Sequence, residues 1–255
     1  MKKFGTVILG SGYFSLGYAL NAENTLIIER TQLADPNFGG TLCGFEFVPS
    51  PKWTNETKDL HDYYVNKKIV SGQRLNSSVS EVGLCAYVEK KGVNLLLGTE
   101  CTDVKKCENG HELTVINNGG FDRIFCKKLI DTRCSDDRRY LNVLCRGERL
   151  TADCGTPENF KLAVAGAFES EEYVAEFEFS APRNVNFAKT EALRYLEKRF
   201  AESGAQIVQC AYVMHADTKL LTFENGEIPK VRELSLLDGF SAFDAGVGYA
   251  LEGAI

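Results

Sequence analysis

The sequence lacks several features that mark well-known classes of protein. It has no apolar run long enough to cross a bilayer, and its first residues lack the apolar block and cleavage site of a secretory signal. It has no excess of positive charge, since 29 Lys and Arg stand against 35 Asp and Glu, a net charge of −6. Because binding to phosphate backbones needs a positive surface, we expect no nucleic-acid partner. From the missing apolar run and signal we expect a cytoplasmic protein with no membrane partner.

Paired cysteines and clustered histidines are also missing. None of the nine cysteines belongs to a C-x-x-C pair, and the closest spacing is that of Cys101 and Cys107. The three histidines, His61, His111 and His215, show no metal-ligand spacing. We therefore predict no metal site, and we interpret the cysteines as reduced thiols packed like small apolar residues.

Basic residues cluster at one place in the chain. Acidic residues alternate with this cluster, which favours a solvated, self-paired face over a binding site. The cluster consists of Arg133, Arg138, Arg139, Arg146 and Arg149.

What the sequence does contain is a glycine-rich junction at residues 7–20, VILGSGYFSLGYAL. Residues 4–9 are apolar and β-branched enough for a central strand of a parallel sheet, and residues 13–21 follow as a helix. A second strand, TLIIER, comes at once at residues 25–30. This order predicts the first βαβ unit of a dinucleotide-binding fold.

Each residue of the junction has a predicted task. Gly10 permits a tight turn, and Gly12 lets the backbone approach a pyrophosphate at the positive end of the helix. Glu29 lies 19 positions after Gly10, where the fold needs an acid to accept hydrogen bonds from a ribose. Ser15 stands in place of the third glycine and is small enough for close packing. The alternative, a plain tight turn, leaves Glu29 unexplained.

The junction resembles the ADP-binding motif of the FAD-dependent oxidoreductase superfamily, the glutathione-reductase-like flavoproteins. Further stretches resemble the same family in the same order along the chain. The resemblance covers residues 4–150 and 235–255, through FGGTLCGF (38–45), GVNLLLGTECTDV (92–104) with a three-stranded meander after it, KKLIDTRCSDD (127–137) and LLDGFSAFDAGVGYALEG (236–253). Arg133 and Cys134 depart from the Thr-Gly that the family has in the third of these.

The resemblance implies FAD as the cofactor and assigns residues to it. Glu29 would hold the ribose, and Cys101 would meet the adenine through its backbone. Asp244 would be an acid at the start of a helix over residues 245–253, whose N-terminus would face the cofactor, although an N-cap role suits it equally. The full set is Gly10, Ser11, Gly12, Phe14, Ser15, Glu29, Arg30, Gly39, Gly40, Thr41, Cys101, Thr132, Asp244, Ala245 and Gly246.

One subclass of flavoprotein is disfavoured by the residues themselves. Disulfide reductases of this superfamily place two redox cysteines just after the Gly-Gly pair, and here Leu42 and Phe47 occupy those positions. Cys43 stands alone, and dithiol chemistry needs a resolving partner. We therefore do not expect a dithiol–disulfide reductase.

The expected architecture is α/β, with an FAD/NAD(P)-binding Rossmann-like domain, a β-meander crossover and a small inserted α+β substrate domain. The first would be discontinuous, 1–150 plus 235–255. The second, 151–234, contains strand patterns at 160–168, 173–181, 206–214 and 218–225 and a helix at 187–203 that Gly204 ends. The sequence identifies no catalytic residue there. His215 is a candidate acid or base because histidine titrates near neutrality, although a lone histidine at a strand end is more often a surface residue. Tyr173, Tyr212 and Arg183 are candidate substrate contacts.

The predicted function is that of an FAD-dependent oxidoreductase that transfers a hydride between a small-molecule substrate and bound flavin. A first alternative is a relative that holds FAD or an adenine nucleotide without turnover. A second is an enzyme that uses a nicotinamide cofactor on the same βαβ unit, which the meander and the FDAG tail disfavour.

Overall fold

A computed structural model of the chain describes residues 1–36, 41–42, 47–135, 139–150, 160–179, 184–211, 214, 218–223, 231–233 and 239–252. The strands are β1 Lys2–Leu9, β2 Thr25–Ile28, β3 Val70–Ser71, β4 Arg74–Leu75, β5 Leu95–Leu96, β6 Glu100–Cys107, β7 Gly110–Asn117, β8 Gly120–Ser135, β9 Arg139–Arg146, β10 Lys161–Gly166, β11 Glu172–Phe179, β12 Gln206–Cys210, β13 Thr218–Phe223 and β14 Val231–Glu233. The helices are α1 Tyr13–Asn21, α2 Asn55–Asn66, α3 Ser77–Lys91, α4 Val185–Ser203 and α5 Gly239–Glu252. Within these ranges, no helix combines the length and the apolar character needed to cross a membrane.

The first sheet is built around β1. Strand β1 pairs in parallel with β2 on one side and with β8 on the other, and β2 pairs in parallel with β5. The predicted strand–helix–strand junction therefore forms, with the helix over residues 13–21. Strands β6, β7 and β8 are joined by antiparallel pairing, which is the meander predicted after residue 100.

Successive side chains of β1 point to opposite faces of this sheet, and each face is covered by a different apolar core. Ile8 belongs to a core that it shares with the helices α1, α2, α3 and α5. Val7 and Leu9 belong to another core, together with residues of the meander such as Leu113. Strand β1 is thus buried on both faces, which explains its continuous apolar run.

Helices α1 and α5 pack with their backbones unusually close together. A Cβ on Gly17 would lie 2.2 Å from the carbonyl oxygen of Phe243, and one on Gly246 would lie 2.1 Å from that of Phe14. Neither position has room for a side chain. The third glycine of the opening stretch, Gly17, is therefore required by helix packing and not by the turn.

The second sheet is antiparallel throughout, in the order β10–β11–β9–β12. Helix α4 packs on one of its faces, where Ala188, Ala192 and Leu196 are fully buried. Gly204, with φ +70°, ends α4 as predicted. Strand patterns, one helix and their order in this region follow the sequence prediction.

Membership of the two sheets differs from the boundaries drawn on the sequence. Strand β9 lies before residue 150 but is a central strand of the second sheet, and five of its residues, 141–145, are buried. Strand β13 lies inside the expected insertion but pairs with β8 in the first sheet. Within the described residues, Arg133 and Arg146 are exposed and pair with Asp131 and Glu172, which agrees with the interpretation of the basic cluster as a solvated, self-paired face. The apolar centre of β9 between the arginines was not predicted.

Candidate functional site

The turn after β1 can be made only by glycine. Gly10 has φ +94°, and a Cβ there would lie 2.5 Å from Thr132 Oγ1 and 2.9 Å from Arg133 Cγ. The Thr132 hydroxyl is shared between the carbonyl oxygens of Leu9, at 3.0 Å, and Gly10, at 3.1 Å. The end of β8 thus locks the glycine turn in place.

The two serines of the turn also bind the protein itself. The Ser15 hydroxyl donates to the carbonyl oxygen of Gly10 at 2.8 Å, and the Ser11 hydroxyl donates to that of Ala34. Both serines are buried. Their side chains therefore hold the shape of the turn, and its backbone amides are what remain for a ligand.

The N-terminus of α1 is open. Its N-cap is Gly12, in an extended conformation, with no side-chain cap and no acidic residue in the first turn. Among the described residues, nothing accepts a hydrogen bond from the backbone amides of Gly12, Phe14 or Ser15. The first amides of a helix carry its positive dipole end, so this terminus offers donors to an anion.

Glu29 is a buried carboxylate, only 4% exposed, that faces the glycine turn. Its Oε2 accepts from the Ser11 amide at 2.9 Å and its Oε1 from the Thr31 amide at 2.8 Å. A carboxylate has about four lone-pair sites, so two remain for further donors. Arg30, the next residue, is exposed. The structure therefore brings Glu29 to the turn, as the spacing predicted.

Acidic residues that the sequence analysis missed lie beside the same turn. Asp35 is 1% exposed, and its Oδ1 would lie 3.7 Å from a Cβ on Gly12. Glu81, on α3, accepts from the backbone amides of Ala34 and Asp35. Burial raises the pKa of Glu81 above its usual value. No sequence signal joins residues 46 positions apart, so only the fold reveals this group.

Two tyrosines are buried beside these acids. The hydroxyl groups of Tyr13 and Tyr64 lie 3.1 Å apart. Burial is the main cause that raises the pKa of both, and the negative charges of Asp35 and Glu81 raise them further. Both phenols therefore stay protonated and act as hydrogen-bonding groups.

Arg133, which departs from the Thr-Gly of the family resemblance, forms an ion pair with Asp131. Its guanidinium donates twice to the Asp131 carboxylate, from Nε to Oδ1 at 3.0 Å and from Nη2 to Oδ2 at 2.8 Å. Hydrogen bonding to Asp131 raises the pKa of Arg133. Cys101 is half-buried at the start of β6, and burial raises the pKa of its thiol. The structure thus places Cys101 near the end of β8, on the meander side of the turn.

The loop after β2 is described in part. Gly39, Gly40 and Cys43 lie outside the described residues. Thr41 is fully buried. Leu42, with φ +54°, is 2% exposed and packs in the apolar core of the second sheet. This loop therefore reaches from the first sheet to the second.

The tail differs from the prediction. Helix α5 begins at Gly239, so Asp244 lies inside it and neither caps it nor precedes it. The Asp244 Oδ1 accepts from the Thr54 amide at 2.7 Å, the Thr54 hydroxyl at 2.8 Å and the Thr57 hydroxyl at 2.8 Å. Asp244 therefore anchors the first turn of α2. The predicted helix start was wrong because the acid and the following Ala-Gly resemble a turn locally.

Ala245 and Gly246 are consequently helical residues as well. Gly246 faces α1, as described above, and Ala245 packs on the core shared by the helices. Among the candidate substrate contacts, Tyr173 is buried in the second core and donates to the carbonyl oxygen of Glu148 at 3.2 Å. The other two, Tyr212 and Arg183, lie outside the described residues, as does His215, the candidate acid or base.

Comparison with known proteins supports the fold. No family model matches the sequence, and no curated protein matches it. Solved structures do match over almost the whole chain. The anhydrotetracycline hydroxylase of Streptomyces rimosus has a TM-score of 0.56 at 15% identity over 97% of this chain and 60% of its own.

Two further similar structures are those of a monooxygenase and a hydroxylase. The p-nitrophenol 4-monooxygenase of Pseudomonas putida has a TM-score of 0.56 at 11% identity, over 100% of this chain and 79% of its own. Aklavinone-11 hydroxylase, solved with FAD and aklavinone, has a TM-score of 0.51 at 12% identity, over 100% of this chain and 62% of its own.

These similarities show an FAD/NAD(P)-binding Rossmann-like fold. The chain spans about three fifths of the length of two of these proteins. All three neighbours are hydroxylases or monooxygenases. They do not confirm the narrower glutathione-reductase-like group, which stays a prediction from the sequence.

Proposed function

We propose that this chain binds FAD at the junction of β1 and α1 and is a flavin-dependent oxidoreductase acting on a small molecule. The observation that carries the proposal is the space at Gly12. A Cβ added there would meet only Asp35, at 3.7 Å, so the position accepts a side chain in the free protein. Gly12 is thus not required by the protein's own packing, which leaves close approach of a ligand as its reason.

The groups around Gly12 suit the two ends of an ADP moiety. The open N-terminus of α1 presents amide donors and the positive end of a dipole, which stabilise a pyrophosphate. The carboxylate of Glu29 lies at the end of β2, where it accepts hydrogen bonds from a ribose diol. Thr132 and Gly10 keep the turn in the shape that aims both groups at one ligand.

One group near the turn, the Asp35 carboxylate, is unfavourable for binding an anion there. The Asp35 carboxylate lies close to Gly12, and its negative charge would repel a pyrophosphate placed at the same amides. Because the α1 terminus has no acid of its own, its dipole is available to offset this repulsion. The turn therefore fits the cofactor, and the Asp35 carboxylate lowers the affinity of the turn for it.

Bound flavin would supply hydride transfer to and from a substrate. The chain's own residues bind and orient the cofactor: α1 through its amides, Glu29 through the ribose, and the loop of Thr41 and Leu42 by joining the two sheets. The described hydroxylase and monooxygenase neighbours agree with oxidation of a small molecule. Hydride transfer between such a molecule and the flavin is the finer step that we propose.

The test is the visible absorption spectrum of the purified full chain, followed by titration of ligand-free protein with FAD. We expect a flavin spectrum and release of FAD on denaturation. Gly12→Ala should fold normally and lose affinity for FAD by about tenfold or more, which corresponds to roughly 1.4 kcal/mol of lost contact. The matched control is Gly248→Ala, since Gly248 has nothing within 4 Å of an added Cβ.

The outcomes separate the candidate functions. Colourless protein that takes up no FAD would overturn the proposal. Protein that binds FAD, but whose flavin no reductant or substrate reduces, would favour a binding protein without turnover. Equal affinity of Gly12→Ala and Gly248→Ala for FAD would mean that the cofactor does not bind at the β1–α1 turn.

A further inference from the structure

Glu81, on α3, is a partly buried acid that the cofactor binding proposed above does not use. Its carboxylate accepts hydrogen bonds from the backbone amides of Ala34 and Asp35 and, at 3.3 Å, from the Cys85 thiol. The thiol stays protonated, because burial raises the pKa of Cys85 to about 11. Within the described ranges, the partners of Glu81 are thus uncharged donors, and no cation neutralises its carboxylate.

The hydrogen bonds of Glu81 connect it to the glycine turn. The carbonyl oxygen of Ala34, whose amide binds Glu81, accepts from the Ser11 hydroxyl. Ser11 directly precedes Gly12, the N-cap of α1. Two hydrogen bonds and the backbone of one residue therefore separate the Glu81 carboxylate from the residue at the start of the open helix terminus. Charges so close interact, since salt screens strongly only beyond a Debye length of about 10 Å.

Ionisable groups also face Glu81 from the neighbouring elements. Burial is the main cause that raises the pKa of Glu81, and the negative charge of Glu29, at the end of β2, raises it further. Burial likewise raises the pKa of the phenols of Tyr13, on α1, and Tyr64, on α2, and the charge of Glu81 adds to this rise. Asp35 lies beside the glycine turn. These groups are acidic or neutral, so none of them compensates a negative charge on Glu81.

An anion bound at the turn changes the proton affinity of Glu81. The pyrophosphate of a dinucleotide brings negative charge to the amides of α1, and a nearby like charge raises the pKa of a carboxyl group. The helix dipole does not alter the sign of this shift, because it is present in the free and in the bound protein. Bound protein therefore holds the Glu81 proton more tightly than free protein does. By linkage, protein with neutral Glu81 binds the anion more tightly.

We propose that Glu81 couples FAD binding to proton uptake, so that the affinity for the cofactor falls as the pH rises and Glu81 ionises. The proposal rests on the function proposed above and adds a regulation of the same site. In acid, Glu81 is neutral and leaves the positive end of α1 available to the pyrophosphate. At higher pH, its charge is added to the acidic surroundings of the turn. The cofactor site thus responds to pH through a residue of α3.

The first measurement is the dissociation constant of FAD for the full chain over a pH series from about pH 5 to about pH 8. Glu81→Gln keeps the size of the side chain and removes its charge, and Glu89→Gln, at an exposed position of the same helix, is the matched control. The FAD affinity of Glu81→Gln, relative to that of wild type, should rise about threefold or more across the series, because only wild type gains a charge.

The comparison isolates the charge of Glu81 from its other effects. A change in the hydrogen bonds to Ala34 and Asp35 shifts the affinity of Glu81→Gln by a factor that does not depend on pH, so it leaves the rise unaffected. The Glu29 carboxylate titrates in both proteins and cancels in the ratio. Glu89→Gln should keep a constant affinity relative to wild type throughout.

The second measurement counts protons and needs no variant. Calorimetry of FAD binding in buffers of different ionisation enthalpy should show that wild type takes up a fraction of a proton within the series. Glu81→Gln should take up less, and Glu89→Gln as much as wild type. If Glu81→Gln does not fold, the absence of proton uptake by wild type at every pH overturns the proposal.

The outcomes keep this inference separate from the proposed function. A relative affinity of Glu81→Gln that rises with pH, together with reduced proton uptake, supports the coupling. A relative affinity that stays constant or falls, or proton uptake that Glu81→Gln retains in full, overturns the coupling and leaves FAD binding intact. Wild type that binds no FAD at any pH overturns the proposed function and this inference with it.

Discussion

The glycine turn of the first sheet and strand β9 of the second differ in how their buried polar side chains are hydrogen-bonded. Around the turn, Ser11, Ser15, Glu29 and Thr132 are all buried and all hydrogen-bonded to the protein's own backbone. On the second sheet, the side chain of Asn142 is equally buried and has no hydrogen-bond partner among the residues that the structure describes.

This difference shows which polar groups each region uses to build its own structure and which groups are left over. At the turn, the side chains are consumed in shaping the backbone, so the backbone amides of α1 are what a ligand can bind. On the second sheet, the backbone of β9 is used in strand pairing, and the group left without a hydrogen-bond partner among the described residues is the side chain of Asn142. The polar groups left over in each region are therefore those that its secondary structure does not use.

The largest expected effect comes from the helix packing beneath the turn. Gly246→Ala places a Cβ 2.1 Å from the Phe14 carbonyl oxygen, so α1 and α5 must separate. We expect the free energy of unfolding to fall by about 3 kcal/mol, measured by urea denaturation. Gly248→Ala on the same helix should be neutral or stabilising. Equal stability of the two variants would contradict the close packing of α1 and α5.

A smaller loss is expected at the anchor between α5 and α2. Asp244→Ala removes the acceptor of three hydrogen bonds from Thr54 and Thr57, and should cost about 2 kcal/mol of stability. The affinity of the folded variant for FAD should be unchanged, because the carboxylate is engaged with α2. Asp62→Asn, at an exposed carboxylate, is the control. Loss of FAD binding with normal stability would instead restore the role implied by the family resemblance.

A pair of substitutions tests the comparison directly, because their effects should have opposite signs. Thr132→Val leaves the carbonyl groups of Leu9 and Gly10 without this donor and should destabilise by about 1 kcal/mol. Asn142→Leu removes an amide that has no hydrogen-bond partner in the described part of the chain, and should stabilise by about 1 kcal/mol. Thermal unfolding of both variants checks the signs, and destabilisation by both would mean that the Asn142 amide is satisfied in the folded protein.

The smallest effect is a pH dependence from Glu81. Its folded pKa is raised above 4.5, so the folded state binds its proton more tightly than the unfolded chain does. Its contribution to stability is therefore full below pH 4.5 and declines as the pH rises through the folded pKa. We expect urea denaturation over a pH series to show this directly. The free energy of unfolding of Glu81→Gln, relative to that of wild type, should increase as the pH rises from 4.5 through the folded pKa of Glu81. A stability difference that does not change with pH would contradict the raised pKa.

Much of the first sheet was predictable because its signals are local. The spacing of Gly10, Gly12 and Glu29 reflects the length of one turn, one helix and one strand, and the structure brings all three together. The meander was predictable because its turns contain glycine between alternating strands. Strand β9 was missed because its apolar centre is short and arginines flank it.

The remaining features depend on residues far apart in the chain. Asp244 meets Thr54 across 190 positions, and Glu81 meets Ala34 across 47. No pattern in either segment indicates its partner, because side-chain hydrogen bonds over such distances are set by how the helices dock. The cofactor roles assigned from the resemblance stay predictions that titration with FAD will test.

The sequence by itself determined the strand–helix–strand junction, the meander and the two kinds of sheet, because backbone preferences and apolar periodicity act over a few residues. Only the tertiary structure decided that Gly17 and Gly246 serve helix packing, that Asp244 holds α2, and that Asn142 is buried without a hydrogen-bond partner among the described residues. Whether a polar group is satisfied depends on every element around it, and this is a property of the folded chain.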